Sequence, residues 1–193
     1  MSPRSRVVAE RPWVITALVL AAAVHLVAVL MMPRLAQKDA FLRLAAVGPI
    51  NTFHPLPRAL PGTELTPFND PATAMGVCRY DLAAGPLHVR AKLIGDGFVS
   101  LSFHARHDKI FYALTDKAAQ HQDFDIYVVT ADQLAAMQAK DVPDEPPKAL
   151  RVLAQERRGF VFARALSPLP SAYEAAAEQI AAIHCDIEPL STQ

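Results

Sequence analysis

The sequence has few of the features that mark specialised protein classes. It contains only two cysteines and seven glycines in 193 residues, which excludes a disulfide-framework or collagenous protein. Hydrophobic residues make up 52% of the chain, which excludes an intrinsically disordered one. There is no run of Lys or Arg, and 19 basic side chains are balanced by 19 acidic ones. Because phosphate neutralisation needs clustered cations, no nucleic-acid partner is expected.

Sequence motifs of catalysis are also missing. The chain has no G-x-S-x-G nucleophile elbow, no P-loop and no G-x-G-x-x-G turn. Asp123, Asp125 and Asp132 are too scattered to be assigned as a catalytic pair of carboxylates. No enzyme activity and no cofactor are therefore predicted, and an uncharacterised hydrolase is the lowest-ranked alternative.

One long apolar run lies near the N-terminus. Trp13 to Met32 has no formal charge and would be about 30 Å long as a helix, which matches the hydrocarbon core of a bilayer. We expect a transmembrane anchor over residues 13–33, preceded by a tail over residues 1–12. A signal peptide cleaved after Ala23 is the alternative, but the apolar residues that follow Ala23 make the run too long for one.

The charges that flank this run hardly determine its orientation. Residues 1–43 have a net charge of +4 and residues 44–193 a net charge of −4, but three basic residues precede the run and three follow it. Because a short tail is easily left in the cytoplasm, we expect the body to be exported. His25, in the middle of the run, is interpreted as structural, with contact to another helix as the alternative.

Proline marks the boundaries in the rest of the chain. Residues 34–71 form a juxtamembrane segment, with a short helix expected around Phe41, Leu44 and Val47, and then a strap with six prolines between Pro49 and Pro71. A second Pro-rich stretch, 141–148, is expected to be an exposed loop. Residues 72–193 form the predicted folded domain.

Short segments with a two-residue period predict a β-rich fold. Leu87–Leu93 and Phe98–Ala105 alternate between apolar and polar residues. A three-residue loop at 95–97 would join them as a hairpin, with Leu93 opposite Val99 and His88 opposite His104. Further strands are expected over 110–114, 125–130, 150–153 and 160–166.

Two helices are expected among these strands. Thr130 with Gln133, and Ser171 with Glu174, have the spacing of a capping box. The second helix would carry an apolar stripe that begins at Tyr173. The predicted fold class is mainly β (α+β): a single N-terminal transmembrane helix, then an antiparallel β-sandwich-like domain with a closing C-terminal helix.

The polar face of the predicted hairpin is the main candidate for ligand binding. Its cations and hydroxyls would lie about 5 Å apart on neighbouring strands and could converge on a small anionic or polar ligand. An ordinary solvated sheet face is the competing interpretation. The candidate residues are His88, Arg90, Lys92, Ser100, Ser102, His104 and Arg106.

Metal binding is the weaker hypothesis for the same region. His104, His107 and Asp108, with His88 opposite His104, could supply metal ligands, since imidazole suits zinc or copper. Their spacing matches no recognised metal motif, so ordinary turn chemistry is preferred and no metal is predicted.

The two cysteines are Cys78 and Cys185, near the start and the end of the predicted body. An even count in an exported domain predicts a disulfide between them, which would hold the C-terminal segment on the body. Two buried free thiols are the alternative.

Three segments resemble a known bacterial family. They are Cys78–Leu82, Gly85–Leu87 and the longer string Phe98–Lys117. They are similar to domain-of-unknown-function family number 1254, whose small members also have one N-terminal membrane helix and a terminal Cys. The matching positions are Phe98, Ser100, Ser102, Arg106, Phe111, Tyr112, Leu114 and Asp116, whereas His104 and Ala105 depart from the pattern. The resemblance covers roughly residues 14–185.

This resemblance implies a β-rich envelope protein, often encoded beside a member of family number 1214, and no established reaction. We therefore expect a single-pass protein of the bacterial inner membrane, with a periplasmic domain that docks a partner envelope protein, for which family 1214 is the candidate. A periplasmic binder of a small anionic or polar ligand is the alternative.

Overall fold

The computed structural model describes residues 3–35, 40–60, 70–94, 97–106, 109–118, 123–142 and 145–189. It divides the chain into two compact units, Met1–Lys38 and Asp39–Gln193. The first unit holds one long helix, α1 (Pro3–Leu35). Within α1, Pro12–Met32 is long and apolar enough to cross a membrane, and none of it is buried against protein. The helix begins earlier than the predicted anchor, since residues 3–12 of the expected tail are helical.

The second unit contains short helices and nine described strands. The helices are α2 (Ala40–Arg43), α3 (Ala131–Gln138) and α4 (Tyr173–Ala181). The strands are β1 (Phe53–Pro55), β2 (Thr73–Asp81), β3 (Leu87–Lys92), β4 (Val99–Ala105), β5 (Ile110–Thr115), β6 (Asp123–Val129), β7 (Leu150–Leu153), β8 (Arg158–Leu166) and β9 (His184–Ile187).

These strands form two sheets. The five-stranded sheet has the order β1-β2-β8-β4-β5 and is antiparallel throughout. The four-stranded sheet has the order β7-β6-β3-β9, and its β6–β7 pair is parallel because α3 carries the chain back between them. The predicted mainly β (α+β) class, with an N-terminal apolar helix, is confirmed. The closing helix is followed by one more strand, β9.

The predicted β3–β4 hairpin is wrong, because the two strands belong to different sheets. β3 pairs with β6 and β9, whereas β4 pairs with β5 and β8. Residues 95 and 96 of the predicted turn lie outside the described residues. The apolar rows were identified correctly: Leu87, Val89, Leu101 and Phe103 are all buried in one core to which both sheets contribute. The rows therefore face each other across the sandwich instead of lying side by side.

The predicted disulfide between Cys78 and Cys185 is confirmed. It joins β2 of one sheet to β9 of the other, with a Cα–Cα distance of 6.5 Å. Cys185 therefore lies in a paired strand that follows the last helix. Together with the apolar α1, the bond indicates a membrane-anchored or secreted protein.

The two predicted capping boxes have different outcomes. Thr130 and Gln133 form the expected reciprocal cap of α3. The prediction of a capping box at Ser171 is wrong. A 3₁₀ turn over Pro170–Ala172 precedes α4, and Ala172 occupies the cap position without a side-chain hydrogen bond. The proline at the start of this turn favours helical geometry, so α4 can follow the turn directly without a side-chain cap.

α4 packs against β1, β2 and β8 and completes one part of the core. Tyr173, Ala176 and Ile180 are its buried apolar residues. A side chain at Gly76 of β2 would collide with the ring of Phe53 and with Ile180, so the close approach of helix and strands requires glycine there.

α2 and the 3₁₀ turn that follows it cover part of the outer face of the five-stranded sheet. Phe41 of α2 and Leu44 of the 3₁₀ turn that follows are buried against Val77, Phe160 and Phe162. The predicted short helix is therefore present, and the described part of the strap is more regular than expected because β1 pairs with β2.

Candidate binding groove

The structure does not bring the seven predicted ligand-binding residues together. Because β3 and β4 turn their apolar sides toward the shared core, their polar sides lie on opposite outer faces of the sandwich. The predicted residues of β3, which are His88, Arg90 and Lys92, lie on the four-stranded sheet. The predicted residues of β4 lie on the five-stranded sheet. The remaining residue, Arg106, comes directly after β4, and its backbone N–H donates to Glu156 at 3.3 Å.

His88 lies between two carboxylates on the outer face of the four-stranded sheet. Its Nε2 is 2.6 Å from Asp125 Oδ1 and its Nδ1 is 3.0 Å from Glu188 Oε2. The imidazole also stacks on the ring of Tyr127 at 4.1 Å, and the Tyr127 hydroxyl donates to Glu188 at 2.6 Å. Burial, followed by this hydrogen bond, raises the pKa of Tyr127.

A carboxylate also neutralises Arg90 on this face. Arg90 donates to Asp186 at 2.7 Å, and the pKa of Arg90 is raised by this hydrogen bond. The carboxylates around β3 would repel a second anion. The electrostatics of this face therefore disfavour the predicted anionic ligand.

The polar residues of β4 form a second, separate cluster. His104 Nε2 lies 2.9 Å from Ser102 Oγ, which also accepts a hydrogen bond from Arg164 at 3.3 Å. The His104 imidazole stacks on the ring of Phe160 at 4.7 Å. Ser102 and His104 are only 7% and 4% exposed, so a substrate does not reach the hydroxyl in this conformation. The pair therefore fits a role in packing better than a role in hydrolysis.

The metal hypothesis stays untested. His107 and Asp108 lie outside the described residues, and no group of three metal-ligating side chains occurs in the part of the chain that the structure describes.

A cavity of about 890 Å³ lies along one side of the sandwich, between β5 of one sheet and β6, β7 and α3 of the other. We call it the edge groove. Its size is within the range of ligand-binding sites, and its apolar walls come from four different elements. The larger apolar side chains that line it are Tyr112, Leu114, Phe124, Ile126, Leu134 and Leu150, and polar side chains such as Asp123, Asp125 and Gln138 lie among them.

The edge groove runs beside unpaired backbone. β7 pairs only with Ile126–Val129 of β6, so one edge of Asp123–Asp125 is open among the described residues. β5 pairs only with β4 and leaves its other edge open within the same described part. These edges offer N–H and C=O groups to an added strand.

An ion pair fixes the wall on the side of the second Pro-rich loop. Both oxygens of Asp141 accept hydrogen bonds from the Arg151 guanidinium, each at 2.6 Å. These hydrogen bonds hold the pKa of the Asp141 carboxyl below its usual range. The pair joins β7 to the start of the loop over 141–148, which contributes Pro147 and Lys148 to the groove.

Sequence reasoning missed the edge groove. The available signal was α3, where Leu134 and Met137 are apolar at helical spacing although no described residue of the helix is fully buried. Half-exposed apolar residues on a short helix indicate a surface with room for another apolar group.

The comparisons with known proteins found similarity in fold only. No family model matches the chain, and no curated protein matches it. Among solved structures, the VPA0106 protein from Vibrio parahaemolyticus is similar with a TM-score of 0.52 and 12% identity, over 76% of this chain and 35% of that chain. An uncharacterised protein from Burkholderia cenocepacia has a TM-score of 0.46 and 14% identity, over 72% and 34%. The chain spans about a third of the length of either. The likeness to the Vibrio parahaemolyticus protein is one of fold alone.

Proposed function

We propose that the protein is a membrane-anchored envelope protein whose folded body holds an extended segment of a partner protein in the edge groove. The observation that carries this proposal is the coincidence of a cavity of mixed apolar and polar lining with open strand edges. An added strand satisfies the backbone groups of Asp123–Asp125 or β5, and its alternate side chains enter the cavity. A compact small molecule would fill the cavity without pairing the backbone edge.

The charge at the groove specifies the partner segment further. Asp123 is exposed at the open edge and makes no ion pair with another described residue. A segment with apolar side chains on one face and a basic side chain on the other would place the cation beside this carboxylate. We therefore propose a partner segment that alternates apolar and polar residues and includes a Lys or Arg.

We propose a single-pass location in the bacterial inner membrane, with the N-terminus in the cytoplasm and the body in the periplasm. The apolar α1 and the disulfide support export, since disulfides persist in oxidising compartments. The resemblance to family number 1254 supports a partner from family number 1214.

Site-specific photo-crosslinking in native membranes tests the docking proposal. A photoreactive phenylalanine analogue is placed at Leu150, which lines the edge groove and is 41% exposed, or at Leu153, which is not among the groove-lining residues and is 51% exposed. Both positions lie in β7, so Leu153 is a matched control. We expect one defined protein adduct from position 150 and none from position 153.

The crosslinked peptide identifies the occupant. The proposal requires an alternating segment of another protein, and Leu150→Arg should prevent co-purification of that protein whereas Leu153→Arg should not. Adducts at neither position or at both, a product of two copies of this chain, or a small-molecule adduct would each contradict it.

A further inference from the structure

The open edge of β6 begins where its pairing with β7 ends. In this parallel ladder, Leu150 is the first residue of β7 that pairs. The Ala154 amide donates to the carbonyl of Val129 at 2.8 Å. Because every second residue of a strand points its backbone groups to the same neighbour, Asp123 and Asp125 point theirs to this edge as well. In the described part of the chain, the Asp125 amide and both backbone groups of Asp123 therefore lie beyond the ladder.

The protein's own chain passes close to this edge without pairing with it. Residues 147–149 come directly before β7, and all of them line the edge groove. If the register continued backwards from β7, Lys148 would lie opposite Phe124. Its backbone would then donate to the carbonyl of Asp123 and accept from the amide of Asp125. The edge is therefore open although a segment that could close it is adjacent.

The side chain of Lys148 explains why the ladder stops. Side chains two residues apart in a strand share a face, so Lys148 would point to the same side as Leu150 and Val152. Val152 is buried, and Phe124, the residue opposite, is only 2% exposed. An ammonium group placed there would leave water for an apolar interior, which is unfavourable. In the structure the Lys148 side chain is instead 89% exposed, with its Nζ 3.9 Å from Glu145 Oε1.

The residues before Lys148 oppose pairing as well. Pro146 and Pro147 precede it, and neither has a backbone N–H. A ladder that passed Lys148 would lack its next donor, at Pro146. Charged side chains that would point inward, and prolines, are features by which proteins keep strand edges from pairing. Both features occur in this one short segment.

We propose that Lys148 keeps the edge groove open for the partner segment by preventing β7 from growing along β6. The inference rests on the proposed function, because the partner segment is what the open edge receives. It also specifies the partner further. The partner segment has an apolar side chain opposite Phe124, at the position that a lysine cannot occupy.

Hydrogen exchange of the Asp125 amide tests the inference in the full chain, purified in detergent without other proteins. The closing variant combines Pro147→Val with Lys148→Ile, and the matched control combines Pro147→Val with Lys148→Arg, which keeps a cation. We expect exchange at Asp125 to be at least about tenfold slower in the closing variant than in the natural chain or the control, because the amide gains a hydrogen bond to residue 148. The Tyr127 amide lies within the existing ladder and should exchange equally in all three.

Photo-crosslinking from position 150 in native membranes gives the second readout. The partner adduct should fall at least about tenfold in the closing variant and persist in the control, because β7 then covers the partner's place on the edge.

The two readouts separate this inference from the docking proposal. Fast exchange at Asp125 in the closing variant, or equally slow exchange in the control, would overturn the role of Lys148 while an adduct from the natural chain still supports docking. Slow exchange in the closing variant alone, with no adduct from the natural chain, would instead refute docking and with it the reservation of the edge for a partner.

Discussion

Reducing the disulfide between Cys78 and Cys185 should strongly destabilise the body. The bond closes a loop with a sequence separation of 107 residues. In the chain-entropy model such a loop contributes about 5 kcal/mol to the free energy of unfolding. Because a domain has only about 5–15 kcal/mol in total, the reduced body should be close to marginal stability.

Some contacts of β9 remain when the disulfide is reduced, and they could offset part of the loss of stability. β9 still pairs with β3, and the Arg90–Asp186 ion pair still holds it. Both residues of this pair are half exposed, so it contributes at most about 1 kcal/mol. The remaining contacts therefore do not replace the bond.

Pulse proteolysis across a urea gradient measures the loss in the full chain, because only the unfolded body is cleaved quickly. With a urea dependence of about 2 kcal/mol per molar, a loss of 5 kcal/mol lowers the midpoint by roughly 2.5 M. The double variant Cys78→Ala, Cys185→Ala is the control and should not respond to the reductant. A shift of less than about 0.5 M in the natural chain would refute the reasoning, since it corresponds to about 1 kcal/mol.

The remaining predictions concern single side chains, each measured by the urea midpoint unless stated. Leu101→Asp should cost several kcal/mol because Leu101 is fully buried, whereas Ser100→Asp should change stability by less than about 1 kcal/mol; equal losses would contradict the assigned faces. Thr130→Ala should cost about 1 kcal/mol and speed amide exchange in the first turn of α3. Gln179→Leu should cost about 1 kcal/mol, because it leaves two partly buried backbone groups without their side-chain partner. Burial raises the pKa of Asp81, but hydrogen bonds from two arginines and a backbone amide lower it below its usual value. The natural chain should therefore be more stable than the Asp81→Asn variant, and this difference should be complete at neutral pH. It should disappear as the pH falls through the lowered pKa of Asp81.

Local features of the fold were readable from the sequence. Alternation located β3 and β4 and identified Leu87, Val89, Leu101 and Phe103 as core. Strand pairing was not readable, because two adjacent strands in a hairpin and two strands in facing sheets bury the same alternate residues. Only the whole set of pairings, with β8 between β2 and β4, decides between them.

The candidate site could not be predicted for a related reason. The edge groove exists because β7 is too short to cover Asp123–Asp125, and no residue type signals an uncovered strand edge. The predicted cluster of His88 and His104 failed for the same reason as the hairpin on which it depended. The disulfide was predictable because the two cysteines of a body that the sequence predicts to be exported leave a single pairing.

Hydrogen exchange on the complex isolated from native membranes tests the docking proposal most directly. If a partner segment adds to the open edges, the outward amides of Asp123–Asp125 or of β5 gain hydrogen bonds and should exchange at least about tenfold more slowly than in the Leu150→Arg variant. The amides of β9, which are already paired with β3, should exchange equally in both. Unchanged exchange along both open edges, with the partner present in the sample, would contradict the account.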